Sequence, residues 1–235
     1  MARLRVSALN LEERVAQAWP WLIPVAIVAS LASRSVWPVA ALVLLPLVLR
    51  GWRMRHGRQL RIYREIGPRV VGEALLAALV VTTVAVLVLS LGIPFLSWGW
   101  FSVVAQATGD QSGGATNIVV VPLEIPLLAV PFLVLLIWTL PDLAAVEERV
   151  FRLGTRDWLD GLRRSVSFGL AHLIMGIPIG AVVPLTLAGL WLTRHYFRGG
   201  IARSTRYHLA YNLCLVIVAT LAFVVLPLLV GDDVG

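Results

Sequence analysis

Long apolar runs, separated by short basic segments, dominate the sequence. The runs 70–92 and 118–140 approach or exceed the ~20 residues that a helix needs to cross a hydrocarbon core, and each contains a single acid. This pattern predicts seven helical spans, at 15–33, 35–51, 70–91, 118–150, 161–177, 180–196 and 207–230. A single helix over 19–49 is the alternative for the first two. The apolar stretch 93–105 is too short to cross and is expected to lie flat or to dip into the bilayer.

Composition favours the same class of protein. Hydrophobic residues make up 59% of the 235 positions, charged residues only 14%, and the mean hydropathy is +0.86. Soluble domains carry nearer a quarter of charged residues. We therefore expect an all-α, polytopic transmembrane helix bundle of about seven spans (six to eight). The single cysteine, Cys214, excludes a disulfide framework.

The arginines indicate the orientation. The net charge of +7 is due to arginine alone, because the chain has no lysine. With seven spans and a cytosolic N-terminus, nineteen of the twenty arginines lie on the cytosolic side, and only Arg34 lies outside. This excess of arginines on the cytosolic side, which is usual in membrane proteins, explains the basic charge, so binding to nucleic acid is not needed to account for it. The Arg-only, Ala/Val/Leu-rich composition indicates a bacterial source, so the expected location is the inner (plasma) membrane.

The first polar motif is EERVFR at 147–152. Glu148 and Arg152 are four residues apart, on one helical face and oriented for a salt bridge. Glu147 lies about 100° further round the helix, outside that pair. The motif therefore offers one neutralised carboxylate and one free carboxylate that is suited to general-base chemistry. A cytosolic helix end with mixed charge is the alternative interpretation.

Two further pairs have the same four-residue spacing. Phe168 and His172 form one, and His208 and Asn212 form the other. An imidazole and a carboxamide on one helical face can both donate to a developing negative charge, as an oxyanion site requires. The structural alternatives are a packed histidine and interhelical hydrogen bonds. In the seven-span topology all three motifs fall in the cytosolic half of the membrane, which favours one site.

EExxxR, FxxxH and HxxxN, in this order on late membrane helices, resemble the CPBP family, which includes type II CAAX prenyl endopeptidases and bacteriocin-processing or immunity proteins of the Abi type. The resemblance covers 141–213. It implies a glutamate-type intramembrane protease, in which Glu147 activates water and His172 assists. His208 and Asn212 would stabilise the oxyanion. The supporting residues would be Glu148, Arg152 and Phe168.

The resulting organisation is a single membrane domain, with anchor spans and a basic cytosolic loop in 1–140 and catalytic helices in 141–230. No cofactor is expected. The partners are the lipid bilayer and a peptide or membrane-protein substrate. Prenylated tails, bacteriocin leaders, signalling peptides and membrane-protein segments are compatible substrates, although a bacterial source disfavours prenylated tails.

Several alternatives remain open. Glu147, His172 and His208 could form a His₂Glu zinc site, and a non-catalytic scaffold or immunity protein could use the same pocket. Intramembrane acids and histidines also build proton relays in transporters. Catalysis by Cys214 is disfavoured, because it points away from the face of Asn212. Outside the motifs, Glu73 and Glu124 are expected to line a cavity or to pair with another helix, and His56 and His195 to be ordinary cytosolic residues.

Overall fold

The computed structural model describes residues 22–35, 37–53, 61–108, 126–221 and 225. Within these ranges the chain is helical and contains no β-strand. The helices are α1 (Leu22–Ser33), α2 (Trp37–Arg53), α3 (Pro68–Ser90), α4 (Pro94–Ser97), α5 (Trp100–Thr108), α6 (Pro126–Phe151), α7 (Trp158–Ala171) and α8 (Val182–Thr220). Two 3-10 turns, His172–Met175 and Ile179–Ala181, join α7 to α8. The expected all-α class is confirmed for this part of the chain.

Among the residues that the structure describes, two helices are long and apolar enough to cross a membrane. They are Pro68–Ser90, with a mean hydropathy of 2.3, and Leu128–Phe151, with a mean hydropathy of 2.0. The seven-span arrangement stays a prediction. A single helix over 19–49 is wrong, because α1 ends before Arg34, whose φ of 50° lies in the left-handed region. His56 and Glu124 lie outside the described residues.

Prolines and glycines explain several helix boundaries. Pro68 and Pro94 begin α3 and α4, where a fixed φ suits the helix and the missing N–H is not needed. The predicted span 161–177 ends early, because α7 stops at Ala171 and Gly176 turns the chain with a φ of 79°. The stretch 93–105 forms two short helices, α4 and α5, rather than one element.

Over the residues that the structure describes, the predicted spans 180–196 and 207–230 correspond to the two arms of α8, a helix that is broken at a pair of glycines. The backbone leaves helical geometry at Gly199 and at Gly200, whose φ is 65°. A straight helix would separate residues 195 and 207 by roughly 18 Å. Instead, the rings of His195 and Tyr207 stack with centroids 3.5 Å apart. The glycine pair therefore folds α8 back on itself, into an N-terminal arm (182–198) and a C-terminal arm (201–220).

The broken helix α8 is the centre of the bundle, and α3, α6 and α7 pack against it. The contact with α3 uses small side chains, which allow two helix backbones to approach closely; they are Ala74, Ala77 and Ala78 on α3, with Ala188 and Ala210 on α8. Gly161 and Gly189 allow a similar approach of α7, since a Cβ at Gly161 would lie 2.6 Å from Thr193 Cγ2. The C-terminal arm of α8 packs beside the end of α6 through Leu209, which contacts Leu140 and Ala144.

Candidate functional site

The end of α6 and the C-terminal arm of α8 meet through a buried carboxylate. Glu148 is 0% exposed. His208 Nδ1 donates to its Oε1 at 2.8 Å, and Ser204 Oγ donates to its Oε2. Arg152 Nη1 lies 3.7 Å from Oε1, so the ion pair expected from the four-residue spacing is present. We call Glu148, Arg152, Ser204 and His208 the Glu148 cluster.

Arg152 is held inside the protein rather than at its surface. It is 0% exposed, and its Nη2 donates to Gly189 O at 3.2 Å. A side chain at position 189 would intrude here, because a Cβ would lie 3.1 Å from Nη2. Burial lowers the pKa of the Arg152 guanidinium, while the charges of Glu148 and Glu147 act in the opposite direction. The guanidinium keeps its charge and partly neutralises two carboxylates.

Glu147 and Glu148 occupy different environments, as their positions on the helix predict. The Glu147 side chain is 32% exposed, and its Oε2 lies 3.5 Å from His208 Nε2. His208 is therefore placed between the two glutamates, with one ring nitrogen toward each. Because a carboxylate only accepts hydrogen bonds, the Nδ1 that faces Glu148 carries a proton. Nε2 is left to exchange a proton with Glu147 or with a molecule beside it.

Phe168 connects the second motif to this cluster. Its ring is buried, and the Arg152 guanidinium carbon lies 4.4 Å from the ring centroid, within cation–π range. Its centroid is 4.5 Å from that of His172 and 5.7 Å from that of His208, both in edge-to-face geometry. One phenyl ring thus contacts both histidines and the buried arginine.

His172 lies where α7 gives way to the 3-10 turn. Its Nδ1 is 2.8 Å from Phe168 O. Since a carbonyl oxygen can only accept, Nδ1 carries the proton, and in the neutral ring Nε2 holds the lone pair. Within the described ranges His172 has no ion pair with either glutamate. The structure brings it to the cluster through Phe168 and not through a direct contact with Glu147.

Asn212 lies one turn beyond His208 on α8 and is partly exposed. Its carboxamide makes no hydrogen bond with any residue that the structure describes, so its donors are available. The sequence prediction missed Ser204, which is equally important to the geometry. Ser204 precedes His208 by four residues on the same helical face, and this spacing was the signal that could have revealed it.

A second group of ionisable side chains lies between α3 and α8. Glu73 Oε1 accepts from Arg69 Nε at 2.9 Å, and Glu73 Oε2 is 3.8 Å from His195 Nε2. Arg203 Nε donates to His195 Nδ1 at 3.5 Å, and Tyr207 stacks on the His195 ring. We call these five residues the Glu73 cluster. The expectation that His195 is an ordinary cytosolic residue is wrong in one respect, because its side chain is 1% exposed.

In the part of the chain that the structure describes, no group of three or more His, Cys, Asp or Glu side chains is arranged to hold a metal ion. Cys214 is buried in the α3–α8 contact, among alanines and Tyr211. No family model, curated protein or solved structure matches this chain.

Proposed function

We propose that this chain is an intramembrane endopeptidase of the CPBP type, which uses Glu147 to activate water at the cytosolic side of a bacterial inner membrane. The observation that carries the proposal is the position of His208 between two glutamates. Nδ1 is bound to the buried Glu148 at 2.8 Å, and Nε2 faces the partly exposed Glu147 at 3.5 Å. One carboxylate is fully engaged, and the other is open to a reactant.

The membrane location rests on the surface of α3. This helix has the hydropathy of a span, yet only 17% of its most apolar window is buried inside the protein. A core helix of a soluble protein would bury most of that window. Four of its aliphatic side chains are at least 60% exposed, which water would not tolerate as a continuous surface and lipid would; they are Leu76, Leu79, Val86 and Leu87.

In the proposed reaction one proton is transferred twice, first to Glu147 and then from it. Glu147 removes a proton from water, and the resulting hydroxide attacks the carbonyl carbon of the peptide bond. The negative charge on the carbonyl oxygen is met by the Asn212 carboxamide and by His208 Nε2–H in its protonated form. Glu147 then gives its proton to the leaving nitrogen as the C–N bond breaks.

The Glu148 cluster prepares this reaction. Ser204 and His208 satisfy both Glu148 oxygens, and Arg152 balances its charge. The imidazole of His208 is thereby held in one orientation, with Nε2 toward Glu147. Such fixed dipoles stabilise a developing charge without reorganising during the reaction. We assign His172 Nε2 the role of a second base, which helps to position the water.

The proposal is tested with purified protein in lipid nanodiscs and a library of fluorogenic peptides with apolar flanks. Glu147→Gln should lower cleavage by about 10²–10⁴-fold, the usual contribution of a general base. Glu65→Gln is the matched control, because Glu65 is exposed and lies outside both clusters, and it should cleave like the wild type.

Two outcomes would overturn the proposal. Loss of cleavage with a strong chelator, restored by zinc, would support the His₂Glu metal alternative. Full retention of the cellular phenotype by Glu147→Gln, with no cleavage by the wild type, would support a non-catalytic scaffold.

A further inference from the structure

The peptide segment that follows His172 is clamped by α4 and α5. Trp100 Nε1 donates to Leu173 O at 2.8 Å, and Ile179 N donates to Trp98 O at 2.9 Å. Phe101 is 0% exposed and lies under the turn. The two short helices therefore hold both ends of the connection between α7 and α8.

Two glycines make this contact possible. A Cβ at Gly99 would lie 2.6 Å from Gly176 O, and a Cβ at Gly176 would lie 2.3 Å from Phe101 Cβ. Gly176 also has a φ of 79°, a conformation that other residues rarely adopt. The backbones of the two segments thus touch without intervening side chains, which makes the fit intolerant of small shifts.

His172 depends on this fit more than the other site residues do. Glu148, Ser204 and His208 lie within long helices, whereas His172 begins a 3-10 turn of four residues. Its only side-chain hydrogen bond in the described part of the chain is to Phe168 O, on the preceding turn. In the turn that follows His172, Leu173 O accepts a hydrogen bond from the Trp100 indole N–H.

We infer that Trp100 is a positioning residue for His172, acting through the hydrogen bond from its indole N–H to Leu173 O. This rests on the peptidase function proposed above, in which His172 positions water. Loss of the bond frees the turn, and a shift of about 1 Å in a catalytic group can cost about a hundredfold in rate. The indole does not touch the reacting atoms.

The test compares Trp100→Phe with Trp98→Phe. Phenylalanine keeps an aromatic ring but has no N–H, and Trp98 is a matched control because its side chain is 52% exposed. Trp100→Phe should lower kcat by about ten- to a hundredfold with little change in KM, since substrate contacts are unaltered. Trp98→Phe should stay within twofold of the wild type. Equal effects of the two variants would overturn the inference.

A double-mutant cycle separates positioning from general stability. In a His172→Ala background, Trp100→Phe should cause no further loss of kcat, because the group that it positions is gone. A further loss as large as in the wild-type background would overturn the inference.

A readout without catalysis makes the inference independent of the peptidase proposal. In ¹⁵N-histidine spectra, Trp100→Phe should shift the ring-nitrogen resonances of His172, and Trp98→Phe should not. Unchanged His172 resonances in both variants would overturn positioning, even if the protein is a peptidase. If Trp100→Phe shifts the His172 resonances but the wild-type protein cleaves no peptide, the positioning inference stands and only the proposed reaction is overturned.

If Trp100→Phe does not fold, Gly99→Ala tests the same clamp. Its Cβ would press on Gly176 O, whereas Gly72→Ala in α3 is the matched control, with nothing within 4 Å of its Cβ. Gly99→Ala should shift the His172 resonances and Gly72→Ala should not. The opposite result would contradict the clamp.

Discussion

The Glu148 cluster and the Glu73 cluster both combine glutamate, histidine and arginine but are organised differently. Both join a glutamate of a long apolar helix to a histidine and an arginine on or near α8. In the Glu148 cluster the carboxylate is 0% exposed, and the histidine donates to it at 2.8 Å. In the Glu73 cluster the carboxylate is 33% exposed, and its closest partner is Arg69, on its own helix.

The two histidines differ in the same way. His208 has a carboxylate beside each ring nitrogen, at 2.8 and 3.5 Å. His195 is packed among Trp191 and Tyr207, and its Nε2 makes no hydrogen bond with any residue that the structure describes. Only the first arrangement aligns a proton donor and acceptor with a free carboxylate. Burial of a histidine near a glutamate is thus insufficient evidence for a catalytic site. The two clusters differ in how the ring nitrogens of the histidine are aligned with the carboxylates.

The largest difference is expected from removing each arginine. Arg152→Met leaves Glu148 buried without its cation, which should lower the free energy of unfolding by about 3–5 kcal/mol. Arg69→Met should cost much less, because the Arg69 side chain is 83% exposed and its ion pair is screened by solvent. Reversible unfolding in detergent micelles measures both. Glu148→Gln in the Arg152→Met background should recover part of the loss, and equal costs of the two single variants would contradict the comparison.

A smaller effect is expected at Ser204. Ser204→Ala removes the donor to Glu148 Oε2 and should lower the free energy of unfolding by about 1–3 kcal/mol, the cost of an unsatisfied buried polar group. Ser167→Ala is the matched control on α7, where the hydroxyl is exposed and bonds only to Arg163 O. Its free energy of unfolding should stay within ~0.5 kcal/mol of the wild type. A Ser204→Ala protein as stable as this control would show that Glu148 does not need its second donor.

The smallest effect is expected at Asp160, a partly exposed carboxyl that lies outside both clusters. Its pKa is lowered, chiefly because the Arg156 backbone N–H donates to it, with help from the Arg164 guanidinium. A lowered pKa stabilises the fold at pH values above the ordinary aspartate pKa of about 4 and loses this contribution as the pH falls. Asp160→Asn should therefore reduce stability slightly at pH 7 and by less at pH 3. A reduction that is as large at pH 3 as at pH 7 in unfolding titrations would contradict this assignment.

Local spacing predicted what lies within one helix. The pairs Glu148/Arg152 and Phe168/His172 are four residues apart, and each is in contact. The orientation of Glu147 away from the ion pair follows from the same helical period. These relations needed no knowledge of the rest of the chain.

Contacts between helices were not predictable in the same way. The predicted spans 180–196 and 207–230 imply a reversal between them, but hydropathy could not place it at Gly199–Gly200. The sequence therefore predicted His195 as an ordinary cytosolic residue and not as one stacked against Tyr207. The link of His208 to Glu148 rather than to an oxyanion site alone depends on the packing of Leu140 and Ala144 of α6 against Leu209 of α8. Both features come from packing, which has no local period.

The most direct test of the central claim is a comparison of kcat for Glu147→Gln and Glu73→Gln in the same cleavage assay. Both glutamates are about one-third exposed and near a histidine, but only Glu147 faces a nitrogen of the Glu148 cluster. We expect kcat to fall by about a hundredfold or more for Glu147→Gln and to stay within about threefold for Glu73→Gln, whose pair is weak. Equal losses for the two variants, or a fully active Glu147→Gln protein, would contradict the account.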